Sequence, residues 1–111
     1  MTVEARWNGV SIAASDNTML VEGNHYFPPQ DVSPTVLEHS DLTTYCTWKG
    51  DAHYHHLVVD GQRNENAAWY YPHPYDAASA IRGYIAFWRG VEVIGDNREE
   101  PEISPPARSF C

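Results

Sequence analysis

The sequence predicts a mainly β protein, a small single domain of about seven or eight short strands with one or two short helices. Three observations carry that expectation. Four Trp, seven Tyr and three Phe in 111 residues are interleaved with Val, Ile and Thr in short runs, and these residue types favour pleated, half-buried surfaces. Asn8-Gly9 separates two such runs and tolerates the positive φ angles of a tight hairpin turn. Further along, Gly, Pro and Asp-Gly punctuation recurs at the spacing of a sandwich, barrel or related layered sheet.

Taken in chain order, Val3–Trp7 and Val10–Ala14 form the arms of that hairpin. Met19–Glu22 follows as a third strand, broken by Gly23-Asn24. Pro28-Pro29 forces an extended backbone, after which Ser33 or Asp31 is placed to cap a short helix running from Pro34 to Glu38. Thr43–Trp48 is β-rich and halts at Lys49-Gly50, Ala52–Val59 makes a longer strand, and Asp60-Gly61 turns the chain. Asn66–Tyr71 is an aromatic strand stopped by Pro72 and Pro74, and Asp76 is placed to cap an alanine-rich helix, Ala77–Arg82, that Gly83 ends. Tyr84–Arg89 and Val91–Ile94 are the last two strands, so the β domain spans residues 1–94. Residues 95–111 are rich in Pro and Glu, with Ile103 and Phe110 as their large apolar residues, and read as a C-terminal tail.

Seven Lys and Arg against fifteen Asp and Glu leave a net charge of -8, which repels nucleic-acid backbones and anionic lipid surfaces. There is no apolar run of membrane-spanning length and no basic-then-apolar leader, so a soluble, acidic, cytoplasmic protein is expected. Two cysteines, Cys46 and Cys111, supply neither a disulfide framework nor a paired-cysteine zinc knuckle. GxxxxGK[ST], GxGxxG, GxSxG and HExxH motifs are absent, as is a DxD carboxylate pair, and Glu99-Glu100 falls in the tail.

Four groups of residues carry candidate chemistry. Lys49 is the only lysine and stands in Cys46-Thr47-Trp48-Lys49-Gly50. Its ammonium suits an anionic ligand group or, deprotonated, a nucleophile; alternatively it lies over Trp48 or pairs with a surface carboxylate. Cys46 is a packing thiol or a nucleophile, and on a regular strand it would face away from Lys49. Glu22, Asn24 and Tyr26 share one face if the strand continues through Gly23, converging as acceptor, mixed donor and acceptor, and donor. In the blander alternative, Asn24 and His25 satisfy the turn backbone while Tyr26 and Phe27 pack on the prolines. His53 and His55 share a strand face without a third ligand set by local spacing, so a solvated face is expected rather than a metal site. Trp69 and Tyr71 share a face, as do Tyr84, Ala86 and Trp88, and opposed they line either a ring-walled pocket or a packed core.

The blocks Val21-Glu22-Gly23-Asn24-His25-Tyr26-Phe27-Pro28-Pro29, Cys46-Thr47-Trp48-Lys49-Gly50 and Ala67-Ala68-Trp69-Tyr70-Tyr71-Pro72, in that order, resemble a bacterial domain-of-unknown-function family, number 427, over about Ala5 to Val93. The family is filed in places under a nucleotidyltransferase name. The resemblance implies a β-tent-like fold of the Mss or methionine sulfoxide reductase B kind without the paired-cysteine zinc site. It marks Glu22, Asn24, Tyr26, Cys46, Trp48, Lys49, Trp69 and Tyr71 as the shared polar and aromatic set. Thr47 departs from the proline usual between the Cys and the Trp. The function expected is binding of an unidentified small polar or anionic ligand in an aromatic-lined pocket, with no metal and no cofactor. The alternatives are an enzyme of nucleotidyltransferase-like or acyl-transfer chemistry using Lys49, Cys46 or Glu22, and a protein-interaction module.

Overall fold

The computed structural model describes residues 2–95 and 101–106. Within them ten strands form three sheets: β1 (Val3–Trp7), β2 (Val10–Ser15), β3 (Met19–Val21), β4 (Asn24–Tyr26), β5 (Leu37–Cys46), β6 (Gly50–Val59), β7 (Gln62–Tyr70), β8 (Ile85–Phe87), β9 (Glu92–Ile94) and β10 (Glu102–Ile103). The sheet orders are β2-β1-β9, β10-β3-β4 and β5-β6-β7-β8. The chain is mainly β, as its ring-rich, turn-punctuated sequence predicts.

The first hairpin forms as expected, with Asn8 at φ 52° and Gly9 at φ 76°, the left-handed pair that matches the twist of the flanking strands. A second two-residue turn, Glu22-Gly23 at φ 53° and 81°, joins β3 to β4. Glu22 therefore stands in the turn itself rather than ending a strand. The expected strand 43–48 is the end of a longer β5, and Thr47-Trp48-Lys49 is the turn into β6. Likewise β7 begins at Gln62, four residues before the expected start.

Neither expected helix is an α-helix. Pro34–Val36 is one 3-10 turn leading straight into β5, and Asp76–Ile81 is 3-10 with a non-helical kink at Ala78 and no side-chain cap from Asp76. Segments this short gain too few hydrogen bonds to offset helix nucleation. Part of the segment read as a tail is ordered into a sheet: β10 runs parallel to β3, and the Leu20 N–H donates to the Pro101 carbonyl at 2.8 Å. Met1, residues 96–100 and residues 107–111, Cys111 and Phe110 included, lie outside the described residues.

Two apolar clusters hold the sheets together. One gathers Val3, Ile12, Phe27, Leu57, Ala67 and Phe87; the other gathers Val21, Tyr26, Trp48, Tyr54, Tyr71 and Ile81. A backbone bridge between Phe27 and Ile85, with bonds of 2.8 and 2.9 Å in both directions, docks the end of β4 beside β8. This docking places the Glu22-Gly23 turn against one face of the four-stranded sheet.

Candidate functional site

Between that turn and the sheet face lies a cavity of about 290 Å³. Alternation along the strands decides what faces it: Tyr54 on β6 is paired with Trp69 on β7, Tyr71 follows two residues on, and all three line the hollow. Glu22, Asn24 and Tyr26 come from the β3–β4 hairpin, Cys46 and Lys49 from the β5–β6 connection, and Trp88 from the end of β8. Seven of the eight residues marked by the resemblance thus line one cavity. Trp48 does not; it is buried beneath, with the Lys49 Nζ 5.2 Å from its ring centroid.

Cys46 and Lys49 meet because 47–49 is a turn and not a strand, which corrects the expectation of opposite faces. The Lys49 backbone N–H donates to Cys46 Sγ at 3.3 Å. Gly50, at φ 108°, leaves room where a Cβ would stand 3.4 Å from the His73 carbonyl oxygen, and the Tyr75 N–H donates to the Lys49 carbonyl at 3.0 Å. The backbone carrying Lys49 is consequently clamped from both sides. Cys46 is disulfide-bonded. The expectation of unbridged thiols is corrected on that point, and a Cys46 thiolate nucleophile is unsupported in this state.

The Lys49 side chain is 5% exposed and its ammonium is ion-paired with the carboxylate of Glu22, which is 30% exposed. It also lies 5.4 Å from the Tyr71 ring centroid, so two rings and one acid surround the cation. Behind it, Trp69 Nε1–H donates to the Tyr26 hydroxyl at 3.0 Å, and the Tyr26 and Tyr71 rings lie 6.4 Å apart, tilted by 36°. Burial, followed by the neighbouring Tyr71, pushes the Tyr26 phenol far above its usual value. Burial, with Tyr54 and Glu22 nearby, pushes Tyr71 up to about 12. Both phenols are therefore protonated donors at neutral pH.

The outer wall comes from residues the sequence did not single out. Thr44 and Tyr54 share a hydrogen bond of 3.0 Å, and Tyr45 meets Tyr75 at the lip with their hydroxyls 3.2 Å apart. No local pattern distinguished these from other strand residues. Trp88, 43% exposed, is edge-on to Trp69 at 5.8 Å and held by its Nε1–H bond to the Asn66 carbonyl at 2.6 Å. His25 turns inward and pairs with Thr18 at 2.9 Å, away from the cavity. His53 and His55 lie on the reverse face of the sheet against Tyr70, and no group of three His, Cys, Asp or Glu among the described residues is arranged to hold a metal ion.

A small β domain in which a hairpin turn and a sheet face enclose a ring-walled hollow beside a half-buried ion pair is the class that fold and site define. No helix among the described residues is long and apolar enough to cross a membrane. The chain belongs to the family described as a domain of unknown function (DUF427), which carries a nucleotidyltransferase-style name and whose family model matches residues 1–97. No match is found among the curated proteins.

Proposed function

We propose that the domain binds a small polar ligand whose anionic or hydrogen-bond-accepting group enters the cavity and takes Lys49 from Glu22. The Lys49–Glu22 pair, buried at its lysine end and opening onto that cavity, carries the reading. Burying an ion pair is an inefficient way to stabilise a fold, because desolvation offsets most of the attraction. Set at a cavity, the same pair keeps a cation ready without leaving it uncompensated. Glu22 stands on an exposed turn, so on ligand entry its carboxylate has water to move into. Tyr71 supplies a neutral donor, Asn24 a mixed donor and acceptor, and the faces of Trp69 and Trp88 a stacking surface for a planar body.

Native mass spectrometry on the protein purified from its own cells is the first test, and a bound small molecule is the expected result. Calorimetry with that molecule then compares Tyr71→Phe, which deletes one hydroxyl, with Trp88→Ala, which removes a half-exposed ring. Each is expected to weaken binding about tenfold, near 1.4 kcal/mol. Wild-type affinity in both variants refutes the assignment of this cavity.

A further inference from the structure

The charges that face the cavity beneath the Glu22-Gly23 turn sum to zero. Among its described lining residues Lys49 and Glu22 alone are charged, and each is the other's partner. The Glu22 side chain is 30% exposed, so it is the half of the pair that an entering molecule meets first. After burial and a neighbouring phenol, its charge also helps to raise Tyr26 and Tyr71, so the carboxylate is felt inside the hollow as well as at the turn.

That neutrality decides which ligand charge fits. A molecule with a negative group alone would take Lys49 and leave two negative charges around one ammonium, on a chain whose net charge of -8 already repels an anion. One with a positive group alone would take Glu22 and leave the ammonium of Lys49, 5% exposed, without compensation. A molecule carrying both groups exchanges one ion pair for two and strands no charge. Because Lys49 and Glu22 are in direct contact, the two charges of the ligand must also stand close together.

The ring walls do not compete for the positive group. Arg89 already lies over Trp88 at 4.4 Å and Lys49 lies 5.4 Å from the Tyr71 centroid. Trp69 spends its indole N–H on Tyr26, and its ring offers apolar surface. A volume of about 290 Å³ is at the small end of ligand pockets, which run from about 300 to 1,000 Å³, and gives room for a body of single-amino-acid size. We infer that the ligand, resting on the displacement of Glu22 proposed above, is a free α-amino acid with a flat apolar side chain. Its carboxylate takes Lys49, its ammonium takes Glu22, and its side chain lies against Trp69 and Trp88.

A contrast is built into the reverse face of the same sheet. A second hollow there, of about 620 Å³, is walled by His55, Tyr70, Pro29, Pro34 and Pro72, and its described lining holds Arg82 but no acid. It offers the ammonium no carboxylate.

Three probes sharing one phenyl group separate the charges: L-phenylalanine, 3-phenylpropanoate without the ammonium, and 2-phenylethylamine without the carboxylate. Each is titrated at neutral pH into the isotope-labelled full-length protein and followed by NMR. Saturable shifts at the Trp69 and Trp88 indole N–H groups are expected, with L-phenylalanine about tenfold tighter than either comparison, the worth of one charge-assisted contact. In Glu22→Gln, L-phenylalanine is expected to weaken about tenfold while 3-phenylpropanoate tightens, since the change removes the ammonium's partner and frees Lys49 from competition. The ranking on the parent protein needs no variant, so any loss of stability in Glu22→Gln leaves it intact. If 3-phenylpropanoate binds the cavity as tightly as L-phenylalanine, the zwitterion is overturned and the anionic reading above survives; if 2-phenylethylamine binds tightest, both fall. The inference is also overturned by the absence of saturable shifts up to about 10 mM, the weak end of small-ligand affinity, or by L-phenylalanine shifts confined to His55 and Tyr70.

Discussion

Removing either partner of the Lys49–Glu22 pair is expected to cost unequal amounts, and the inequality follows from burial. Breaking a fully buried pair costs about 3–5 kcal/mol because a charge is left without its partner. In Glu22→Gln the orphan is the ammonium of Lys49, only 5% exposed, so the lower end of that range, about 3 kcal/mol, applies. In Lys49→Met the orphan is Glu22, 30% exposed and on a turn, so water recovers much of the loss and about 1–2 kcal/mol remains. Methionine also fills the space over Trp48 and Tyr71 with favourable sulfur–ring contacts. For a chain of 111 residues, about 4 °C per kcal/mol converts these values to melting-point losses near 12 °C and 4–8 °C. The double variant leaves no orphan charge and is expected within about 1 kcal/mol of the parent, giving a coupling of about 3–6 kcal/mol in the double-mutant cycle. Urea unfolding at pH 7 of the four proteins supplies the numbers. Additive losses, or Lys49→Met costing more than Glu22→Gln, would show that the ammonium is already hydrated and refute a buried cation held ready at the cavity.

Three further outcomes follow from named contacts. Tyr71 titrates near 12 in the folded chain against 10 when unfolded, so the unfolded state sheds its proton first; stability is complete below pH 10 and falls between pH 10 and 12, by up to about 1.4 kcal/mol per pH unit, in unfolding followed across that range and compared with Tyr71→Phe. Gly9→Ala meets no atom within 4 Å and is expected to cost only the backbone penalty of about 1 kcal/mol, whereas Gly50→Ala adds strain at φ 108° and a contact on the His73 carbonyl, about 2–3 kcal/mol, and displaces Lys49; paired melting curves test the ranking. Asn66 sits at φ 54° with Ser40 Oγ donating to its side chain at 2.5 Å, so Asn66→Ala is expected to lose about 2 kcal/mol and Asn66→Gly about 1 kcal/mol less than that, a difference that denaturant unfolding resolves.

What the sequence made legible was local. Asn8-Gly9 announces its hairpin because few residue pairs accept two positive φ angles, and alternation puts Trp69 and Tyr71 on a common face whatever they pack against. The turn at 47–49 was hidden because Thr and Trp are strong strand formers and its enabling glycine, Gly50, comes after it. Glu22 was misplaced onto a strand since glutamate rarely accepts a left-handed backbone, yet the trio with Asn24 and Tyr26 still converges because the hairpin folds back on itself. Thr44, Tyr45 and Tyr54 were invisible as lining residues: their membership depends on where β4 docks, and that is decided by the distant Phe27–Ile85 bridge. The parallel pairing of β10 with β3 has no local signal beyond the single apolar Ile103.

The partition between the two hollows is one strand layer thick, and adjacent letters of the sequence furnish opposite rooms: Tyr54 one and His55 the other, Trp69 one and Tyr70 the other. Loss of a single residue from the middle of β6 or β7 would transpose the furnishings, sending imidazole toward the ion pair and phenol or indole toward the prolines. The β-bulge between His55 and Leu57 acts as the ratchet tooth that forbids such slippage. An inserted residue is accordingly accommodated best at hairpin tips such as Asp60-Gly61, where it leaves the alternation on either side intact.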